Sequence, residues 1–252
     1  MASPGRTSSL NDRDGRHASS ARFGATRWSV VLAAADDRRP TTSRDAMAEL
    51  IGAYWFPLYA FLRRAGSAPQ EAEDLVQGFF AELMDKRALA AVDPSKGRFR
   101  SFLLAALKHF VSKRRARGRA LKRGGGRVLL SLDALDAEAR YAIEPADTLT
   151  PERLFERQWA LAVLQQVLAR LRAAYAADGK AALYEALEPC LTAGAIDYAE
   201  AAAALDMSPA AVRTAAHRLR RRYRDGLTAE IARTVQSPGE VADEIAYLLN
   251  CL

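Results

Sequence analysis

Residues 208–227 read SPAAVRTAAHRLRRRYRDGL, and the span from Arg213 to Arg224 holds six arginines, one histidine and no acid. A guanidinium donates two parallel hydrogen bonds to the N7 and O6 acceptors of guanine, or to two phosphate oxygens. A second basic run, KHFVSKRRARGRALKRGGGR (108–127), carries nine Lys and Arg and again no acid. Residues 132–152, between the two runs, are net acidic. This is the chemistry of holding a polyanion at two places. The bland alternative is a pair of solvated helix faces, but faces of one sign repel themselves, and that weighs toward an anionic partner.

No comparable set points to catalysis. His17, His109 and His217 fall on separate segments, and the two cysteines, Cys190 and Cys251, give neither a disulfide framework nor zinc spacing. KRGGGR (122–127) is glycine-rich but lacks the Lys-Ser/Thr of a phosphate loop. The sequence therefore predicts no catalytic residue, no metal and no cofactor: the protein is not expected to be an enzyme.

The elements that carry these residues read as helices. The 252 residues are half hydrophobic, rich in Ala, Leu and Arg, and poor in β-branched runs, with a formal net charge of +7. No apolar run is long enough to cross a bilayer, so no membrane insertion is expected, and the lack of a disulfide framework fits a reducing cytosol, where the protein is expected. The polar N-terminus reads as a disordered tail over 1–25.

A short helix is predicted at 26–35, and Pro40 to Ser43 is read as a break. From Asp45 the apolar spacing Leu50, Ile51, Tyr54, Trp55, Leu58, Leu62 is helical, with Pro57 as a potential kink. A second helix opens at Pro69, with acids in its first turn and the stripe Leu75, Val76, Phe79, Phe80, Leu83 turned inward. After a turn at 93–98, a third helix runs from Phe99 to about Arg117. Residues 118–150 are expected to be an extended or irregular connector. Thr150-Pro151-Glu152 starts a long helix to about Ala177, followed by a helix over 180–191 and a loop at 194–197.

A short helix over 198–205, a turn at Asp206-Met207, and a helix capped by Ser208-Pro209 and running to about Asp225 have the shape of a DNA-reading helix-turn-helix. Val212, Ala216, Leu219 and Tyr223 form the stripe that packs on the first helix. Ala210, Ala211, Arg213, Thr214 and His217 are then the base-edge candidates, and Arg218, Arg221 and Arg222 are the phosphate contacts.

Taken together, the two halves resemble bacterial sigma-70 family sigma factors of the extracytoplasmic-function (ECF) type, over about 45–117 and 152–227. PQEAEDLVQGFFAELMDK (69–86) resembles the helix by which those factors dock on the β′ clamp of core RNA polymerase, with Glu73, Asp74, Leu75, Gln77 and Phe79 at the matching positions. Gly78 stands where the family usually has an acid. GRFRSFLLAALKHFVSKRRAR (97–117) is similar to the segment that takes the promoter −10 element. The resemblance places Arg98, Phe99, Arg100, Lys108, His109, Lys113, Arg114 and Arg115 there, His109 replacing the family's frequent Asn. The helix-turn-helix would read the −35 element.

The resemblance implies an all-α protein of two helical domains, a region 2-like bundle and a region 4-like helix-turn-helix domain, joined by a flexible linker. The expected division is 26–117, linker 118–150, 151–232, and a C-terminal extension 233–252. The implied partners are core RNA polymerase (β′ clamp and β flap), promoter DNA, and an anti-sigma factor or other regulator. Two alternatives stay open on the residues alone. One is a stand-alone helix-turn-helix regulator; the other is a helical interaction protein, derived from a sigma factor, that has lost promoter recognition.

Overall fold

The computed structural model describes residues 40–84, 98–120, 132–144, 149–192, 196–235 and 237–252. The expected disordered tail at 1–25, the expected helix at 26–35, and residues 93–97 and 194–195 of the expected turns lie outside the described residues. The chain is all-α, and no strand occurs among the described residues. The helices are α1 (Pro40–Arg64), α2 (Pro69–Met84), α3 (Phe99–Ala120), α4 (Leu132–Ala142), α5 (Pro151–Ala177), α6 (Ala181–Leu187), α7 (Pro189–Thr192), α8 (Tyr198–Ala204), α9 (Pro209–Ala232) and α10 (Val241–Asn250), with a 3₁₀ turn at Pro238–Glu240.

Two apolar clusters hold these helices. The first gathers Leu50, Tyr54, Leu58 and Tyr59 of α1, Val76 and Phe79 of α2, and Leu103 and Leu107 of α3. To these it adds Leu154, Phe155, Trp159 and Val163 of α5, Leu227 and Ile231 of α9, and Leu248 of α10. Each such fully buried side chain contributes about 1.5–3 kcal/mol. The second cluster joins Leu171 and Tyr175 of α5, Tyr184 and Leu187 of α6, Cys190 of α7, Ala202 of α8, and Val212, Ala216 and Leu219 of α9. α5 serves both because Phe155, Trp159, Val163, Val167, Leu171 and Tyr175 recur every fourth residue and form one buried ridge.

Local signals set most boundaries. Thr150 Oγ1 accepts from Arg153 N at 3.2 Å and caps α5. α1 ends at Gly66, whose φ of 92° suits glycine, with Ser67 N bonded back to Leu62 O at 3.0 Å. Pro57 lies inside α1 without ending it. Buried neighbours on both sides outweigh its one missing hydrogen bond.

Four expectations change. α1 begins at Pro40, which takes the first helical position instead of breaking the chain. The predicted helix over 180–191 is divided at Pro189. The connector carries a helix, α4, where an irregular chain was expected: Ala137 is buried in the first cluster and Glu138 is clamped by α1. Finally, α9 does not stop near Asp225. It runs through Gly226 to Ala232, because Gly226 sits where α9 passes α5, and a β-carbon there would stand 3.1 Å from Val167 Cγ1.

Candidate nucleic-acid interface

The helix-turn-helix is built by three local devices. Asp197 caps α8 by accepting from Ala199 N (2.8 Å) and Glu200 N (3.2 Å). Asp206 turns the chain at φ 50°, a left-handed value that Asp tolerates. Ser208 Oγ accepts from Ala211 N at 3.2 Å and starts α9, with Pro209 at its first position. Val212, Ala216 and Leu219 are fully buried against α8, so the rest of the first four turns of α9 is fixed outward.

Arg213, Thr214, His217, Arg218, Arg221 and Arg222 are exposed, as is Ala210, with Ala211 half-buried. Arg213 lies over the Tyr198 ring (5.8 Å), and Arg220 approaches the Tyr198 hydroxyl at 3.5 Å. Arg222 stacks over Tyr175 (5.2 Å) and faces Asp178 at 4.0 Å. Thr214 donates its hydroxyl to Ala210 O at 3.0 Å. A cleft of about 590 Å³ beside this helix is lined by Lys180, Thr214, Arg218, Arg221 and Arg222. Such a surface offers several cations to a phosphate backbone and a narrow N-terminal edge to bases.

On α3 the basic residues divide. His109 is exposed. Lys108 pairs with Glu152 of α5 at 2.7 Å, Lys113 with Glu82 at 3.2 Å, and Arg115 with Glu71 at 3.4 Å and Ser67 Oγ at 3.1 Å. The Lys108 ammonium holds the Glu152 carboxyl below the usual carboxylate range. These are solvated pairs of small worth, which a phosphate can replace. Phe99, 1 % exposed, meets Tyr54 edge-on at 5.5 Å within the core.

Arg98 and Arg100 meet the C-terminal helix. Both pair with Glu244 of α10, Arg98 Nε at 3.0 Å from Oε2 and Arg100 Nη1 on Oε1. Arg100, 4 % exposed, is sandwiched between the Trp159 and Tyr247 rings, 4.6 Å from each. Burial, and then the Arg98 charge, push its pKa down. Burial and a hydrogen bond to Glu156 push Tyr247 up to about 12. Sequence reasoning missed Glu244 and Tyr247. Their signal was an acidic first turn on a short amphipathic helix, with nothing to reveal a partner 144 residues away.

On α2, Asp74 and Gln77 share an exposed face. Glu73, 2 % exposed, accepts from Gln77 Nε2 at 2.9 Å and thereby fixes that side chain, while Leu75 and Phe79 are in the core. A cleft of about 510 Å³ next to Gln77 is lined by Trp55, Phe56, Asp136 and Arg140, the last lying 3.9 Å over the Phe56 ring. Between α1 and α4, Arg63 Nε and Nη2 donate to Glu138 at 2.9 and 2.7 Å, and Tyr59 donates to the same carboxylate at 2.5 Å. Arg63 holds the Glu138 carboxyl below its usual range, and burial drives the Tyr59 hydroxyl well above its own.

Among the described residues there is no cluster of three or more metal-ligating side chains, and no helix long and apolar enough to cross a membrane. Residues 50–120, which span α1 from Leu50, α2 and α3, match the family model for sigma-70 region 2. That match supports a sigma factor role in transcription initiation, with core RNA polymerase and promoter DNA as partners. No curated protein and no solved structure matches the chain.

Proposed function

We propose that this chain is a sigma factor of the ECF type, acting in the cytoplasm, that binds core RNA polymerase and directs it to promoters. The observation that carries the reading is the region 2 match over 50–120, joined in one chain to an outward-facing basic helix in a helix-turn-helix. α2 docks the polymerase through Asp74 and Gln77, positioned by Glu73 over the Leu75 and Phe79 core. The basic face of α3, with Lys108, His109, Lys113, Arg114 and Arg115, takes the −10 element. The N-terminal turns of α9 take the −35 element, Arg213, Thr214 and His217 at base edges and Arg218, Arg221 and Arg222 on phosphates. The polymerase supplies all the bond chemistry.

Run-off transcription with purified core polymerase tests this. The reading expects a promoter-specific product that depends on the added chain, together with a stable complex with core in the absence of DNA. DNA binding without either result would favour a stand-alone helix-turn-helix regulator. Loss of both polymerase and DNA binding would leave a helical interaction protein.

A further inference from the structure

The C-terminal helix α10 is tied to the start of α3 by one carboxylate. Glu244 is 0 % exposed, and it faces two guanidinium groups, Arg98 and Arg100. A carboxylate held by two arginines is the contact set a phosphate makes with the same side chains. Its net worth to the fold is small, because removing all three charges from water offsets most of their attraction. α10 has only ten residues, too few to be stable when detached. It is held by Leu248 in the core and by the Tyr247 hydroxyl bonded to Glu156, while Leu249 and Leu252 remain exposed. Arg98 is already 37 % exposed at the rim of the contact. The neighbouring part of α3 is the basic face assigned above to the −10 element.

We infer that Arg98 and Arg100 form an anion site for a backbone phosphate of single-stranded DNA, and that Glu244 fills this site internally. α10 is then a strap that competes with the promoter strand and keeps the site closed until a strand displaces it. This rests on the sigma reading for its ligand. Trp159 stays behind when α10 leaves, so Arg100 keeps one ring to hold its guanidinium in place.

The test uses the full chain and a fluorescent single-stranded DNA of about a dozen nucleotides, within the usual site sizes for such strands. Glu244→Gln should bind about tenfold tighter than wild type, with the slope of log affinity against log salt steeper by about 0.7, the share of one phosphate on a single strand. Leu248→Ala, which loosens the strap and leaves every charge in place, should bind tighter as well. Adding Arg98→Ala to Glu244→Gln should remove the gain. Unchanged affinity and slope in folded Glu244→Gln and Leu248→Ala would overturn the inference. A measurement on the wild-type chain stands even where the variants misfold. Saturating DNA should strip hydrogen-exchange protection from 241–250, and retained protection overturns the strap. Inorganic phosphate at equal phosphate concentration should leave 241–250 protected; equal release would mean the site takes a free anion and would overturn its assignment to a strand. Run-off transcription in parallel separates the two readings: promoter-specific product with an unresponsive α10 retires the strap alone.

Discussion

The guanidinium of Arg114 on α3 lies across the backbone of Gly78 on α2. A β-carbon at Gly78 would collide with Nη1 and stand 3.3 Å from the Phe110 ring, and that Nη1 reaches the Asp74 carbonyl at 3.4 Å. Glycine costs a helix interior about 1 kcal/mol relative to alanine. Its presence in the middle of α2 is explained by this crossing.

Gly78→Ala should therefore gain less than the full propensity difference, because Arg114 has to move. In an Arg114→Ala background the same change should gain more, up to about 1 kcal/mol, with only the Phe110 ring at 3.3 Å left to give way. Urea unfolding of the four proteins gives the coupling. Identical gains in both backgrounds would show that Arg114 does not need the glycine.

Glu138 predicts an acid-sensitive attachment of α4. Its carboxyl is held below the ordinary 4.5 by Arg63, so the favourable pairing is complete above about pH 4.5 and is lost as pH falls through the lower folded-state value. The side chain is about one-third exposed, so solvent screens part of the interaction. Glu138→Gln should cost about 1 kcal/mol at pH 7, and the gap from wild type should narrow once the pH is taken below 4.5. Urea unfolding above and below that pH checks this; a gap that stays constant would exclude the carboxylate as its source.

Gly226 predicts the opposite sign from Gly78. A β-carbon there meets Val167 Cγ1 at 3.1 Å, and Val167 belongs to the packed ridge of α5. A branched side chain held in a core shifts less readily than the end of an arginine. Gly226→Ala should destabilise by about 1 kcal/mol or more despite the better helix propensity. In a Val167→Ala background the penalty should vanish. A stabilised single variant would mean that α9 and α5 separate freely at this point.

The helices with strong local signals were legible in the sequence. Pro69, Thr150-Pro151 and Ser208-Pro209 each start a helix where expected, because cap and proline act within one turn. α4 was not legible. Its hold on the fold comes from Arg63 and Tyr59, more than 70 residues away, and alternation of Ala with charge carries no core signal. The extension of α9 was missed for a related reason. Gly226 reads as a stop locally, and only the close passage of α5 makes it an interior residue. The same limit applies to the basic stretch on α3. From Lys108 to the end of α3 the sequence shows six cations, while the acids that pair with several of them, Glu71, Glu82 and Glu152, belong to other helices. The arginines of α9 face outward because Val212, Ala216 and Leu219 turn inward, and that periodicity is local.

The last prediction concerns how Thr214 reads a base. Its hydroxyl proton is used in the bond to Ala210 O at 3.0 Å, so the side chain has no donor left for a base edge. The exposed methyl remains, and a methyl recognises the C5-methyl of thymine in the major groove. Thr214→Val keeps the methyl and should hold promoter selectivity within about threefold, whereas Thr214→Ala should lose about 1 kcal/mol of discrimination at one base position. Arg213→Ala should lose more, about 1–3 kcal/mol at a different position, because it removes a pair of hydrogen bonds. Arg222→Ala, beside Tyr175 and Asp178, should weaken all sequences alike and lower the salt slope by about one. Run-off transcription on templates changed one base pair at a time, together with salt-dependent DNA binding, separates these outcomes. If valine and alanine at 214 lose selectivity equally, the hydroxyl is reading the base as an acceptor and the methyl assignment fails.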